Sequence, residues 1–231
     1  MKKMKLSFLI VLQLLFFLSC NTIDNYEAPE EVLTGRVIDK ITGEPLVTEQ
    51  PNGFRIQLAE ISWSDNPQLE YFWGKADGTF QNTRLFPGTY EVTPVEGPFF
   101  DVEPKTVEVK GKVNVEFEVM PFLHLSIVDI HREGSKLDVS WKIERQQVGE
   151  KIIDTRVFVS TNPNVGSNII DTELSPLRDL SGVPDEDILQ ATFHEVIEGL
   201  TPGKIYYIRV GARTESGEKR YNFTPTQSLT D

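Results

Sequence analysis

Six aromatic residues in the first half of the chain, Trp63, Tyr71, Phe72, Trp73, Phe99 and Phe100, fall in or beside segments that read as loops. An exposed indole or phenol offers a flat apolar surface on which the C–H face of a sugar ring stacks, while nearby Asp, Glu or Asn side chains bond the hydroxyls. Successive residues of a strand point to opposite faces, so Tyr71, Phe72 and Trp73 cannot all enter one core. Trp63, Tyr71, Trp73, Phe99 and Phe100 are therefore the candidate ligand-binding residues. The competing reading is that these rings pack under their own loops or against a neighbouring domain, as large aromatic side chains usually do.

The second group with chemistry is the lone thiol, Cys20. It follows a basic head (Lys2, Lys3, Lys5) and a run, Leu6–Leu18, that is apolar apart from Ser7 and Gln13. Head, short apolar run and a cut before a cysteine describe an export signal whose thiol is lipidated. The run falls short of the roughly 20 residues that a spanning helix needs. An ordinary secretory signal with Cys20 at the junction is the alternative. A single lipidated cysteine leaves no thiol for catalysis and no internal disulfide.

Other chemistries find little. His124, His131 and His194 lack the i, i+4 or H-x-H spacing that brings two nitrogens to one metal. Neither a G-x-S-x-G elbow nor a phosphate-binding glycine loop is present. With 35 acidic residues some carboxylate pair always looks plausible for glycoside hydrolysis, so a solvated surface is the default reading. Asp185-Glu186-Asp187 could offer oxygens to calcium but lacks the alternation and glycine of a calcium loop, and reads as a solvated loop. No catalytic residue, metal or cofactor is expected.

The elements that must position these residues are short strands. The chain has 231 residues and a net charge of −12, and loss of residues 1–19 leaves about −15. Such a surface repels phosphate backbones, which argues against nucleic acid. Hydrophobic residues at 39% suffice for packed cores, and the roughly 210 residues after the signal suit two domains. Asn21–Glu31 is polar and reads as a tether. Alternation then marks strands at Leu33–Asp39, Phe54–Ile61, Thr79–Leu85 and Thr89–Val92, with turns at Asp77-Gly78 and Pro87-Gly88. Thr106–Val109 and Val113–Val119, flanking Lys110-Gly111-Lys112, read as a hairpin. Gln50-Pro51-Asn52-Gly53 reads as a turn before it is anything else.

Past Met120-Pro121 a second β pattern follows: Leu123–Val128, Lys136–Ile143, Thr155–Ser160 and Thr192–Ile197, with a turn-rich stretch over Asn162–Asp187. A last strand is expected near Lys219–Thr226. Sustained helical periodicity is absent. The chain thus reads as all-β, two tandem β-sandwiches: signal 1–19, lipidated tether 20–31, first sandwich 32–121, second sandwich 122–231.

Gly35–Asp39, Thr42-Gly43-Glu44-Pro45, Asp77-Gly78-Thr79-Phe80 and Phe86-Pro87-Gly88-Thr89-Tyr90 resemble the carboxypeptidase-regulatory-like, or transthyretin-like, domain. Leu200–Ala212 resembles the E–F corner and F strand of a fibronectin type III domain, with Tyr206 as the corner tyrosine and Trp141 as the core aromatic of the facing strand. Asn25-Tyr26-Glu27-Ala28-Pro29, Glu49-Gln50-Pro51-Asn52-Gly53 and Phe72-Trp73-Gly74-Lys75 resemble a family of Bacteroidetes surface lipoproteins containing a domain of unknown function. That resemblance implies a non-enzymatic lipoprotein of the outer membrane, sent to its outer face by the acids after Cys20, beside glycan-uptake systems of the starch-utilisation type. It implies no catalytic residues. Two expectations follow: a carbohydrate-binding accessory component, or a structural module that docks on outer-membrane uptake proteins without binding sugar. A hydrolase with carboxylates in a cleft between the domains is a third.

Overall fold

The computed structural model describes residues 28–230, so the expected export signal, Cys20 and most of the expected tether lie outside the described residues. Two β-sandwiches follow one another. The first contains β1 (Glu31–Asp39), β2 (Arg55–Glu60), β3 (Leu69–Trp73), β4 (Thr79–Leu85), β5 (Gly88–Val95), β6 (Lys105–Val109) and β7 (Lys112–Val119). Its sheets run β4-β1-β7 and β3-β2-β5-β6, and their inward rows, including Leu33, Val37, Ile56, Leu58, Phe80, Val92 and Phe117, form one core.

The hairpin expected around Gly111 does not form. β6 pairs with β5, whereas β7 runs parallel to β1 from Val32↔Lys112 to Asp39↔Val119. The Lys110–Lys112 turn instead carries the chain from one sheet to the other. Alternation says only that Val109, Val115 and Phe117 face a core, and facing strands of a sandwich meet that condition as well as paired strands do.

The second sandwich contains β8 (His124–Glu133), β9 (Lys136–Glu144), β10 (Ile152–Ser160), β11 (Leu177–Asp179), helix α1 (Asp185–Gln190), β12 (Phe193–Glu198), β13 (Tyr206–Thr214), β14 (Tyr221–Phe223) and β15 (Gln227–Leu229). Sheet β12-β9-β8 faces sheet β11-β10-β13-β14, with β15 also on β13. Trp141 fills the space between them. Its ring stacks on Phe193 at 5.6 Å, and its Nε1 donates to Thr155 Oγ1 at 3.0 Å, which in turn donates to Gly211 O at 2.9 Å. A buried indole N–H is thereby satisfied across the core. Tyr206 makes the expected corner, its hydroxyl accepting from Thr201 N at 3.1 Å. The first sandwich has its own version, in which the Tyr90 hydroxyl donates to Phe86 O at 3.0 Å.

The last strand is divided because Pro225 cannot donate to the ladder. Thr224 covers the break, its N–H donating to Val210 O at 2.9 Å and its Oγ1 accepting from Val210 N at 3.0 Å. Asp185-Glu186-Asp187 is the first turn of α1 rather than a loop. Asp185 accepts there from Arg145 Nη1 at 2.8 Å and Ile152 N at 3.2 Å, so its oxygens already have partners.

The outer face of β10-β13-β14 is apolar as well, with Phe158, Tyr221 and Phe223 packed edge to face. The first sandwich covers this face with the segment Val47–Glu49. Glu49 accepts from Ser167 N at 2.6 Å and Ser167 Oγ at 2.9 Å. Arg209 donates to Thr48 O at 2.6 Å and lies 3.6 Å above the Phe223 ring. Both charged side chains are almost wholly buried. The Gln50-Pro51-Asn52-Gly53 turn, with a cis Gln50-Pro51 bond and Asn52 at φ 76°, follows directly on this contact. Asn222 adds a bond to Pro98 O at 2.9 Å, and His124 pairs with Asp39 at 2.6 Å across the seam.

Burial pushes Glu49 above the usual carboxylate range, outweighing its Ser167 bonds and the attraction of Arg209. Burial likewise lowers Arg209 to about 10. Arg209→Met, which strips Glu49 of its counter-charge, should cost about 3 kcal/mol in urea denaturation. Glu49→Gln combined with Arg209→Met should lose less than the two single changes added together. The folded protein binds the Glu49 proton more tightly than the unfolded chain does. Relative to Glu49→Gln, the wild type should therefore gain stability as pH falls from neutral towards 4.5, read from urea midpoints along a pH series. Tyr90→Phe and Tyr206→Phe should each cost about 1 kcal/mol in the same assay.

Candidate functional site

The aromatic residues do not form one site. β3 separates them, running from Leu69 at the end remote from the second sandwich to Trp73 at the seam, roughly 13 Å at strand rise. Tyr71 and Trp73 share the outer face of β3 with Arg55 and Gln57 of β2, which lie opposite them. The Arg55 guanidinium sits 4.4 Å from the Tyr71 ring and 5.8 Å from Trp73, and is held by an ion pair with Glu96. Arg220, from the second sandwich, lies 5.4 Å from the Trp73 ring. The rings of Tyr71 and Trp73 thus already hold cations, and Trp73 belongs to the joint between the domains.

Phe99 is not a surface residue. It is buried in the first core against Phe54, at 6.4 Å, because the bridge between Phe99 and Pro121 fixes it inside the sandwich. Phe100 is half-buried at the seam. Its ring meets Phe122 edge to face at 5.0 Å and lies so near Gly149 that a β-carbon there would come within 2.9 Å of it. Phe72 turns inward onto Phe80 at 6.2 Å.

Trp63 remains, 84% exposed, and no ring or cation lies against it among the described residues. Its loop joins β2 to β3, and the root is pinned to β5. Ile61 N donates to Thr89 O at 2.8 Å, and Thr89 N donates to Ser62 Oγ at 2.6 Å. Gly88 permits this close approach, since a β-carbon there would stand 2.9 Å from Ser62 Oγ and 3.1 Å from the Glu60 carboxylate. Trp63 is therefore an exposed ring on an anchored stem.

Beside it lies a cleft of about 680 Å³, lined by Glu60, Trp63, Glu70, Arg84, Phe86 and Tyr90. It occupies the open end of the first sandwich, where β2 ends, β3 begins and the Phe86–Gly88 turn crosses between sheets. Glu60 and Glu70 belong to the inward rows of β2 and β3 but extend past the core. Glu70 faces Leu58, so the two carboxylates are diagonal cross-strand neighbours. Burial, then the charges of Glu60 and Glu70, raises the Tyr90 phenol above its usual range. The cleft thus combines exposed apolar rings with hydrogen-bond acceptors. Sequence reading found Trp63 but missed its neighbours, since only the strand register brings positions 60, 70, 84 and 90 together. The Phe86-Pro87-Gly88-Thr89-Tyr90 string was the one signal available.

The groove between the domains holds carboxylates too, but Glu96 is paired with Arg55 and Glu218 lies 3.6 Å from Arg220. Among the described residues no cluster of three or more His, Cys, Asp or Glu could hold a metal ion. His194 pairs with Asp138 at 2.7 Å.

Comparison with known proteins places this geometry. Residues 31–120 match the N-terminal domain of a protein of unknown function, DUF3823, and residues 123–228 match the domain of unknown function DUF3823_C. The chain belongs to the DUF3823 family. A DUF3823 protein from Bacteroides uniformis is 27% identical with a TM-score of 0.78, covering 87% of this chain and 99% of that one. A DUF3823 protein from Parabacteroides merdae is 22% identical with a TM-score of 0.71, over 88% and 100% of the two chains. A Bacteroides uniformis protein for which carbohydrate binding has been proposed is 21% identical with a TM-score of 0.72, over 88% and 100%. These last two likenesses show the fold. No curated protein matches the chain.

If Trp63 is the open ring of this DUF3823 protein, acrylamide should quench its emission readily while Trp141 stays shielded. Trp63→Phe should remove most of the quenchable signal in a Stern–Volmer titration.

Proposed function

We propose that this DUF3823 protein is a non-enzymatic, lipid-anchored carbohydrate-binding protein of the outer membrane, serving a glycan-uptake system. The observation that carries the binding role is the uncovered Trp63 ring beside a cleft that also offers two carboxylates and a guanidinium. A sugar presents an apolar C–H face and a rim of hydroxyls, and the ring and the polar groups match them. The carbohydrate-binding role proposed for a protein of the same fold agrees with this reading. The anchor is read from Cys20 and its preceding apolar run. Outer-membrane placement and the company of uptake proteins come from the family resemblance.

Trp63→Ala should weaken retardation in polysaccharide affinity gels at least about fivefold, since loss of one ring-stacking contact removes about 1–3 kcal/mol when a planar ligand is stacked on it. Trp73→Ala should leave binding intact and lower thermal stability, as expected of a joint residue. Unchanged retardation in Trp63→Ala, or no glycan retarding the wild type, would leave the docking-module reading in its place. Release of reducing sugar, lost in Glu60→Gln or Glu70→Gln, would make the pair catalytic. The anchor has its own assay: Cys20→Ser should lose both palmitate incorporation and attachment to the envelope.

A further inference from the structure

Resting on the reading of the cleft as a sugar site, we infer that it admits an uncharged sugar ring and rejects acidic glycans such as uronates. The inference follows from which polar groups at the cleft are still free. Glu70 and Arg84 have no side-chain hydrogen-bond or ion-pair partner among the described residues. Glu60 accepts only from Ser62 N, at 3.2 Å, and retains most of its lone pairs. The Tyr90 hydroxyl is already committed to Phe86 O. A bound ring therefore meets two anions and one cation, all on strand ends or strand-proximal turns.

A neutral sugar suits this set. Each carboxylate accepts from hydroxyls, and one carboxylate can take both hydroxyls of a vicinal diol. The guanidinium donates to a hydroxyl or ring oxygen. The ring's apolar face lies on Trp63, with Phe86, 49% exposed, extending that surface. A uronate carboxylate placed on the same wall faces two fixed negative charges against one positive. Arg84 can offset one of the two repulsions and leaves the other. At the open mouth of the cleft one uncompensated repulsion of this kind weakens binding about fivefold, so discrimination is modest but of definite sign. The acidic charge of the whole chain adds in the same direction.

Burial first, and then the nearby charges of Glu60 and Glu70, raise the Tyr90 phenol, in keeping with the place of all three in the lining of the cleft. The outer face of β2 and β3 carries aromatic rings already covered by Arg55 and Arg220, and the buried Glu49 and Arg209 hold the seam.

The test is calorimetric titration of the full chain, without its signal, against neutral gluco-, xylo- and manno-oligosaccharides and against oligogalacturonides. Neutral ligands should bind, and oligogalacturonides should bind at least fivefold more weakly at low salt, the gap narrowing as salt rises. Glu60→Gln combined with Glu70→Gln should close the gap by admitting the uronates. Oligogalacturonides binding as tightly as neutral ligands, or a gap unmoved by the double variant, would overturn the inference and leave the sugar site standing. Failure of every glycan to bind the wild type would remove the sugar site itself.

Discussion

The Arg209 guanidinium, buried between the two sandwiches, constrains the rest of the molecule. An arginine on the outer face of a sheet normally reaches water. Here the strand carrying it is packed on both faces, with Trp141 and its neighbours on one side and Phe158, Tyr221 and Phe223 on the other. The charge is therefore tolerable only if something brings an acceptor and a counter-charge to it. Thr48 O and Glu49 do so, and both come from the other domain. Neither half satisfies its buried polar groups alone. The Glu49 carboxylate needs Ser167 as much as Arg209 needs Thr48.

That requirement settles how the aromatic residues are used. Trp73 stacks against Arg220, and Phe100 meets Phe122 and Gly149, because the seam-facing end of the first sandwich must close against the second. Strand direction then leaves the other end open. β2 and β3 carry Arg55 and Trp73 at the seam and Glu60 and Leu69 at the far end. An end with no neighbour among the described residues can expose Trp63, Phe86 and unpaired carboxylates at no cost to packing. The cleft is the end of the sandwich that the domain joint does not use.

The fold was legible where a residue's local demand has one solution. Tyr206 at its corner and Trp141 in its core are of that kind, because the spacing of Leu200, Pro202-Gly203 and Tyr206 fixes a turn that folds back on itself. The pairing of β7 was not legible, because an inward-facing row is the same whether its strand pairs with its predecessor or faces it. Phe99 shows the limit for single residues. Its neighbours Gly97, Pro98 and Asp101 suggest a loop, yet a lone bridge to Pro121 places the ring in the core. Glu49 and Arg209 could not be paired by eye across that separation, since an acid beside a turn and an arginine in a strand each look like ordinary surface. Burial on both faces of β13 left a faint trace in Tyr207-Ile208-Arg209-Val210-Gly211-Ala212, where apolar residues outnumber what strict alternation requires.

The open end has one more geometric property. β1 begins there, with Glu31 opposite Leu85 at the rim of the cleft, so the chain enters the fold beside Trp63 and Phe86 rather than beside the second sandwich. The segment from Cys20 to Glu31 reaches at most ~40 Å when fully extended. A tether of that reach, entering at this end of the first sandwich, keeps the rim of the cleft within that distance of residue 20.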